Sequence, residues 1–406
     1  MYSVAEADEL LTRHRLVLTT ESVPFAEARG RVLAETILAD RDFPPFDRVA
    51  MDGIALRFDA LADGQMAFPV LAIQRAGDPA QPLSDPLGCL EVMTGASLPT
   101  GADTVVRYED LTLTNGVATL KTDADGVLPG TFQRGQHVHR QATDRQTFDV
   151  LLAAGTALRP VELAVVASVG QTSLAVRTRP RVAVISTGDE LVDTHQTPLP
   201  HQIRQSNAYL LQAAMQDLGL EPTLHHFPDD PVALTQGLAA LLATTDVLVM
   251  TGGVSAGKAD FVPDVLTGLG IRCRFHQVNQ RPGKPLWFGS SDTGQRVVFA
   301  LPGNPVSTTM CFYRYVRPYL QQAMGIMAEP PLYVQLAHSV DFTPSLTYFL
   351  PVRLEDSPDG QLLAYGLPGS GSGDFANLTE ADAFLELPPT GTHFAAGTSA
   401  VAWSIG

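Results

Sequence analysis

Arg181-Val182-Ala183-Val184-Ile185 runs directly into Ser186-Thr187-Gly188-Asp189-Glu190-Leu191. Four apolar residues in a row, three of them β-branched, read as a strand buried on both faces. The polar, glycine-bearing run that follows reads as a loop at its carboxyl end. The same join recurs twice. Asp246-Val247-Leu248-Val249-Met250 enters Thr251-Gly252-Gly253-Val254-Ser255-Ala256-Gly257, and Val297-Val298-Phe299-Ala300-Leu301 enters Pro302-Gly303-Asn304-Pro305-Val306-Ser307. Helical patterns lie between these strands. Ser206 is placed to cap a helix carrying Ala208, Leu210, Leu211, Ala214, Met215 and Leu218 on one face and closed by Gly219. Asp230-Pro231 is a cap and first-position pair for another. Alternating β and α elements predict a mostly parallel sheet covered by helices on both faces.

Working outward, the first forty residues read as helical and then extended. Val4, Leu10 and Leu11 form a first apolar stripe, and a second periodic segment starts at Arg29-Gly30-Arg31-Val32-Leu33-Ala34. Pro44-Pro45 stiffens the chain and marks a crossing into a β-rich module. Its turns include Ala62-Asp63-Gly64, Asp78-Pro79 and Asn115-Gly116, the last flanked as a hairpin by Asp110–Thr114 and Val117–Leu120. Arg134 to Val169 reads as helical again, so the module is expected to be inserted into the first domain. Short strands and turns return after Pro330-Pro331. The expected boundaries are 1–42 with 132–177, 43–131, 178–327 and 328–406.

The chain has 406 residues, 45% hydrophobic and 17% charged, and is expected to form two to four globular domains. No apolar run is long enough to span a bilayer. The start of the chain lacks the basic and apolar regions of a signal peptide. A net charge of −16 argues against a nucleic-acid partner. Any anionic substrate must therefore be held by local backbone donors and a few cations. Three scattered cysteines exclude a disulfide framework and fit a reducing, cytoplasmic compartment.

In open parallel sheets ligands bind at the carboxyl ends of strands, so the three glycine loops should converge. Each alone could be only a tight βα connection. Together they offer backbone N–H groups, and a helix start, to an anion. None matches the Walker or dinucleotide fingerprints. Carboxylates gather at the same end: Asp189, Glu190, Asp229, Asp230 and Asp260. One or two of them would suffice for a divalent ion bridging phosphate oxygens. Asp230 reads better as a helix cap, and Asp260 as cap or ligand equally. Arg281-Pro282-Gly283-Lys284-Pro285 sets two cations about a turn, an oxyanion clamp or two solvated side chains. His137 and His139 would share a face if extended, but no third metal ligand lies near them, and His225-His226 reads as structural. Two further segments, Asp42–Ala55 and Met93–Glu109, are dense in small residues.

Taken together these residues resemble the MoeA family, the molybdopterin molybdenumtransferases, which include the E domain of gephyrin. The resemblance rests on Pro44-Pro45-Phe46-Asp47 with Met51-Asp52-Gly53, Thr94-Gly95-Ala96 with Pro99, and Ser186–Leu191. It continues through Thr251–Gly257 with Asp260, Pro282-Gly283-Lys284-Pro285 and Pro302–Ser307. It implies an elongated homodimer of four-domain subunits: a segmented first domain, an inserted β-rich domain, an α/β molybdopterin-binding domain and a C-terminal β-barrel. The implied reaction inserts molybdate into adenylylated molybdopterin with Mg²⁺ and releases AMP.

By motif matching, Glu190, Asp52, Thr94 and Lys284 would be catalytic. Thr187, Gly188, Asp189, Gly252, Gly253, Ser255, Gly257, Pro302, Gly303 and Asn304 would bind the pterin substrate. Arg281, Lys284 and Ser307 would receive molybdate, and Glu190, Asp229 and Asp260 would hold metal. Asp52 and Thr94 would close the partner subunit's site. A molybdopterin adenylyltransferase is an implied partner. Four positions depart from the family: His137 replaces a carboxylate, Arg281 replaces a lysine, and Val49 and Ile54 flank Ala50-Met51-Asp52-Gly53 in place of serine and tyrosine. The alternatives are a non-catalytic or specialised paralogue that binds molybdopterin, or a molybdopterin adenylyltransferase, against which the extra domains argue.

Overall fold

Side-chain alternation along buried strands sets the two faces of the central sheet. The computed structural model describes residues 1–123, 130–253, 261–367, 369, 371 and 373–405. The sheet contains β1 (Val182–Thr187), β2 (Thr223–Phe227), β3 (Val247–Thr251), β4 (Ile271–His276), β5 (Trp287–Ser291) and β6 (Val297–Leu301). Their order is β2-β1-β3-β6-β5-β4. The first four are parallel, β5 pairs antiparallel to β6, and β4 pairs antiparallel to β5. Val182, Val184, Val249 and Phe299 pack on one face against Leu211 and Met215 of helix α1 (Asn207–Gln216). Ala183, Ile185, Leu248, Met250 and Val298 pack on the other. They meet Leu238 of α2 (Pro231–Thr244) and Leu266 of α3 (Val262–Gly268). Period-2 alternation with both sets apolar is what a doubly covered sheet requires.

The chain divides into two compact units, one of Met1–Glu35, Gly155–Pro160 and Ser173–Gly406, the other of Thr36–Ala154 and Val161–Thr172. Within the first, the helix Val4–Arg13 starts with a capping box of Ser3 and Glu6. It buries Val4, Ala7 and Leu11, while Leu10 is only partly covered. The C-terminal strands Thr347–Asp356, Leu362–Gly366, Leu332–Leu336, Ser399–Ser404 and Ala383–Leu387 pair in that order and close back on the first. Closure removes free edges around a core that includes Val352, Leu385 and Leu387. Gln280–Arg281 adds to this sheet, parallel to the start of Thr347–Asp356.

The second unit carries a six-stranded sheet in which Gly53–Leu56 lies between Thr104–Arg107 and Cys89–Val92. Its hairpin Leu111–Thr114 and Val117–Leu120 turns at Asn115 and Gly116, both with positive φ (51° and 75°), as the sequence pair demands. A Cβ on Gly53 would stand 1.9 Å from the Val106 carbonyl oxygen, so only glycine fits there.

One expectation is corrected. Of the stretch read as helical from Arg134 to Val169, only Pro160–Ser168 is a helix. The residues before it form turns and the two short strands Val138–His139 and Val150–Leu152. Gly135, His137, Ala142 and Phe148 have positive φ and interrupt any helix there. The segment at Arg29–Ala34 is extended, in line with a first stretch that is helical and then extended. Gly30 has φ +72°, and Val32 and Leu33 bridge to Ala157 and Val176.

Candidate active site at the strand ends of the sheet

Four parallel strands finish at one edge, and cross-contacts tie their loops together. β1 ends in buried Thr187. Gly188 then takes φ +134°, and a Cβ there would meet Glu190 Oε2 at 2.4 Å, so the Glu190 carboxylate lies back over the glycine. The Gly188 carbonyl accepts from His226 Nε2 of β2 at 3.0 Å. A carbonyl cannot donate, so that ring nitrogen carries the proton. The Asp229 N–H donates to Asp189 Oδ1 at 3.3 Å, joining the loops after β1 and β2. The Gly252 N–H, after β3, donates to the Leu301 carbonyl of β6 at 3.2 Å. Cβ atoms at Gly252 and Gly253 would stand 2.9 and 3.1 Å from Thr187 Oγ1, and both glycines have positive φ. Gly303 lies against Gly252, its Cβ position 3.7 Å from the Gly252 Cα, and its carbonyl accepts from Asn207 Nδ2 at 2.7 Å.

At this edge Ser186 Oγ, Thr187 Oγ1 and Asn207 Oδ1 are buried and form no hydrogen bond among the described residues. Such atoms carry a desolvation cost that a bound polar ligand would relieve. The exposed Glu190 carboxylate has neither an ion pair nor a hydrogen bond among the described residues. Ser255, Gly257 and Asp260 lie outside the described residues. No group of three potential metal-ligating side chains occurs among the described ones. Asp230 caps α2 by accepting from the Ala233 N–H at 2.7 Å, as its place before Pro231 predicts. Ser206 occupies the cap position of α1 but its side chain forms no cap bond. The neighbouring Asn207 is the functional candidate that sequence reading missed.

The Arg281–Lys284 turn belongs to the same unit. Arg281 and Lys284 are exposed, and neither is ion-paired among the described residues. Gly283 (φ +86°) is buried against helix α4 (Pro305–Cys311). A Cβ there would meet Cys311 Sγ and Met310 Cε, each at 2.6 Å. The buried Ser307 lies on the same helix, one turn before Cys311.

In the second unit, Asp52 and Thr94 are brought together. The Thr94 N–H and O–H both donate to Asp52 Oδ1, at 2.6 and 2.8 Å. These bonds hold the Asp52 carboxyl below the usual range. The Tyr108 O–H donates to Glu91, and its N–H donates to the Asp52 carbonyl. Burial first, then that bond, pushes the Tyr108 phenol up. His137 and His139 do not form a metal pair. His137 has φ +55° and neighbours Gln136, whereas His139 bonds Asp144 Oδ1 at 3.0 Å. The His137 carbonyl accepts from the Ala50 N–H, two residues before Asp52.

An open, mostly parallel sheet with glycine loops and carboxylates at its strand ends defines an anion-binding type of α/β domain. Residues 183–322 match the family model described as a probable molybdopterin binding domain. Residues 2–170 match the MoeA N-terminal region (domain I and II), and residues 333–404 the MoeA C-terminal region (domain IV). The chain belongs to the MoeA family. It is 38% identical over 398 residues to the molybdopterin molybdenumtransferase of Synechocystis sp., covering 98% of both chains. It is 36% identical to the Synechococcus elongatus protein of that name, again covering 98% of each. Two solved structures of the molybdopterin biosynthesis moeA protein from Pyrococcus horikoshii superpose with TM-scores of 0.83 and 0.82. Their identities are 28% and 26%, with at least 99% of each chain covered. Among the described residues no helix is long and apolar enough to cross a membrane.

Proposed function

We propose that this MoeA-family enzyme inserts molybdate into adenylylated molybdopterin and releases AMP. The observation that carries the reading is the strand-end edge, where glycine backbone meets buried polar atoms and a carboxylate that have no partner among the described residues. Thr187, Gly188, Asp189, Gly252, Gly253, Pro302, Gly303 and Asn304 line the pterin site, and Ser255 and Gly257 join them by motif. Asn207 Oδ1, a lone acceptor, takes an N–H or O–H from the substrate. Arg281, Lys284 and Ser307 receive molybdate as substrate.

The donor set fits magnesium. Asp189, Glu190 and Asp229 bring hard oxygen ligands to the ends of neighbouring strands, and Mg²⁺ needs only one or two carboxylates beside waters and phosphate oxygens. Glu190 and Asp229 would hold the ion, with Asp260 by motif. When bound, it neutralises charge on the phosphoanhydride. The protein's own part is positioning and electrostatics, with no covalent enzyme intermediate. Lys284 and Arg281 orient the oxyanion, and Thr187 and Asn207 fix the substrate. In a cytoplasmic homodimer, Asp52 and Thr94 would present a preset negative charge to the partner subunit's substrate, which a molybdopterin adenylyltransferase supplies.

The test is AMP release from adenylylated molybdopterin with and without molybdate and Mg²⁺. Release that needs both, with molybdenum retained on the pterin, is the expected result. Tight binding without release would overturn the transferase reading in favour of a carrier.

A further inference from the structure

Beneath the Arg281–Lys284 turn lies a buried polar pair that core packing does not require. Gln280 is fully buried and Tyr315 is 1% exposed. The Tyr315 O–H donates to Gln280 Oε1, and Gln280 Nε2 donates to the Gly283 carbonyl at 3.0 Å. The amide orientation is chemically forced, because the Gly283 carbonyl can only accept and the phenol supplies the donor for Oε1. Two backbone bonds close the loop outside this pair: the Val278 N–H to the Lys284 carbonyl at 2.9 Å, and the Gln277 N–H to the Leu286 carbonyl at 3.0 Å.

Tyr315 is itself held. It lies in the π-helical turn Phe312–Val316, a local winding found often at functional sites. The Arg314 guanidinium sits 4.8 Å from its ring centroid and 4.2 Å from that of Trp403. Arg314 bonds Asp8 at 2.7 and 2.9 Å and Glu386 at 3.0 Å. A buried amide and phenol cost free energy unless hydrogen-bonded; these are, and their bonds fix a direction that an apolar pair of equal size would not.

We propose that Gln280 and Tyr315 are positioning residues that fix the turn and so set how Arg281 and Lys284 meet an oxyanion. This rests on the molybdate-receiving role given to those cations. Tyr315→Phe removes one hydroxyl, and Gln280→Met replaces the amide with an apolar chain of similar length. Each should raise the KM for molybdate about tenfold, leaving kcat within roughly twofold and the KM for adenylylated molybdopterin unchanged. Both should also speed amide hydrogen exchange at Val278 and Leu286, a reading that needs no substrate. A folded variant with an unaltered molybdate KM overturns the inference, as does one that loses only kcat. If the wild-type protein shows no molybdate-dependent release, the transferase reading fails. Exchange then decides separately: faster rates uphold the hold on the turn, and wild-type rates overturn it.

Discussion

The strand-end edge of the α/β sheet and the Asp52–Thr94 corner of the β-rich unit treat their polar groups in opposite ways. At the edge, among the described residues, Ser186, Thr187 and Asn207 keep buried oxygens unpaired and the Glu190 carboxylate has no partner. At the corner, Asp52 is satisfied by both donors of Thr94. Unpaired buried atoms are tolerated where a ligand completes them, whereas a satisfied carboxylate is a fixed charge. The glycines differ in the same sense. Gly53 is required by a neighbouring backbone, while Gly188 makes room for a side chain that can move.

The sharpest break in this comparison comes from Gly53→Ala. Its Cβ would overlap a carbonyl in the middle of a sheet, with an expected loss of about 4 kcal/mol of stability in urea denaturation. A loss below about 1 kcal/mol would show that the β-rich unit is not as rigid as its packing implies. Next is Glu190→Gln, which keeps shape and removes charge. AMP release should fall on the order of a hundredfold with stability unchanged. Full activity would remove Glu190 from its assigned role. Gly188→Ala should displace the Glu190 carboxylate and reduce release roughly tenfold, with a stability cost of about 1–2 kcal/mol from the strained backbone.

Asp52→Asn gives the smallest effect. The folded carboxyl titrates below its unfolded value, so its contribution is present above the unfolded value and fades as pH falls through the folded one. The variant should therefore lose a small increment of stability at neutral pH and converge on the wild type below about pH 4.

Most of the strand-end site was legible because buried strands and glycine loops leave local signatures. Val182–Thr187, Val247–Thr251 and Val297–Leu301 form where their apolar runs predicted, and the Asn115-Gly116 hairpin and the Asp230 cap follow from short-range chemistry. The antiparallel edge strand Ile271–His276 was missed because Arg272 and Arg274 break its apolar pattern. Asn207 was hidden behind Ser206, which precedes it with an equal N-cap propensity. The Gln280–Tyr315 and Glu91–Tyr108 bonds join residues 35 and 17 positions apart, and no local pattern encodes such pairings.

The placement of Gln280–Arg281 beside Thr347–Asp356 bears on how interchangeable the parts of this chain are. By hydrogen bonding that short strand belongs to the C-terminal barrel, although the rest of its neighbourhood belongs to the α/β fold. The seam between the modules therefore runs through the segment carrying Arg281 and not through the Pro330-Pro331 connection. A chimaera that exchanged the barrel at the connection would graft a foreign wall onto a native cation, and crossover at that point would be read out in anion handling before it was read out in folding.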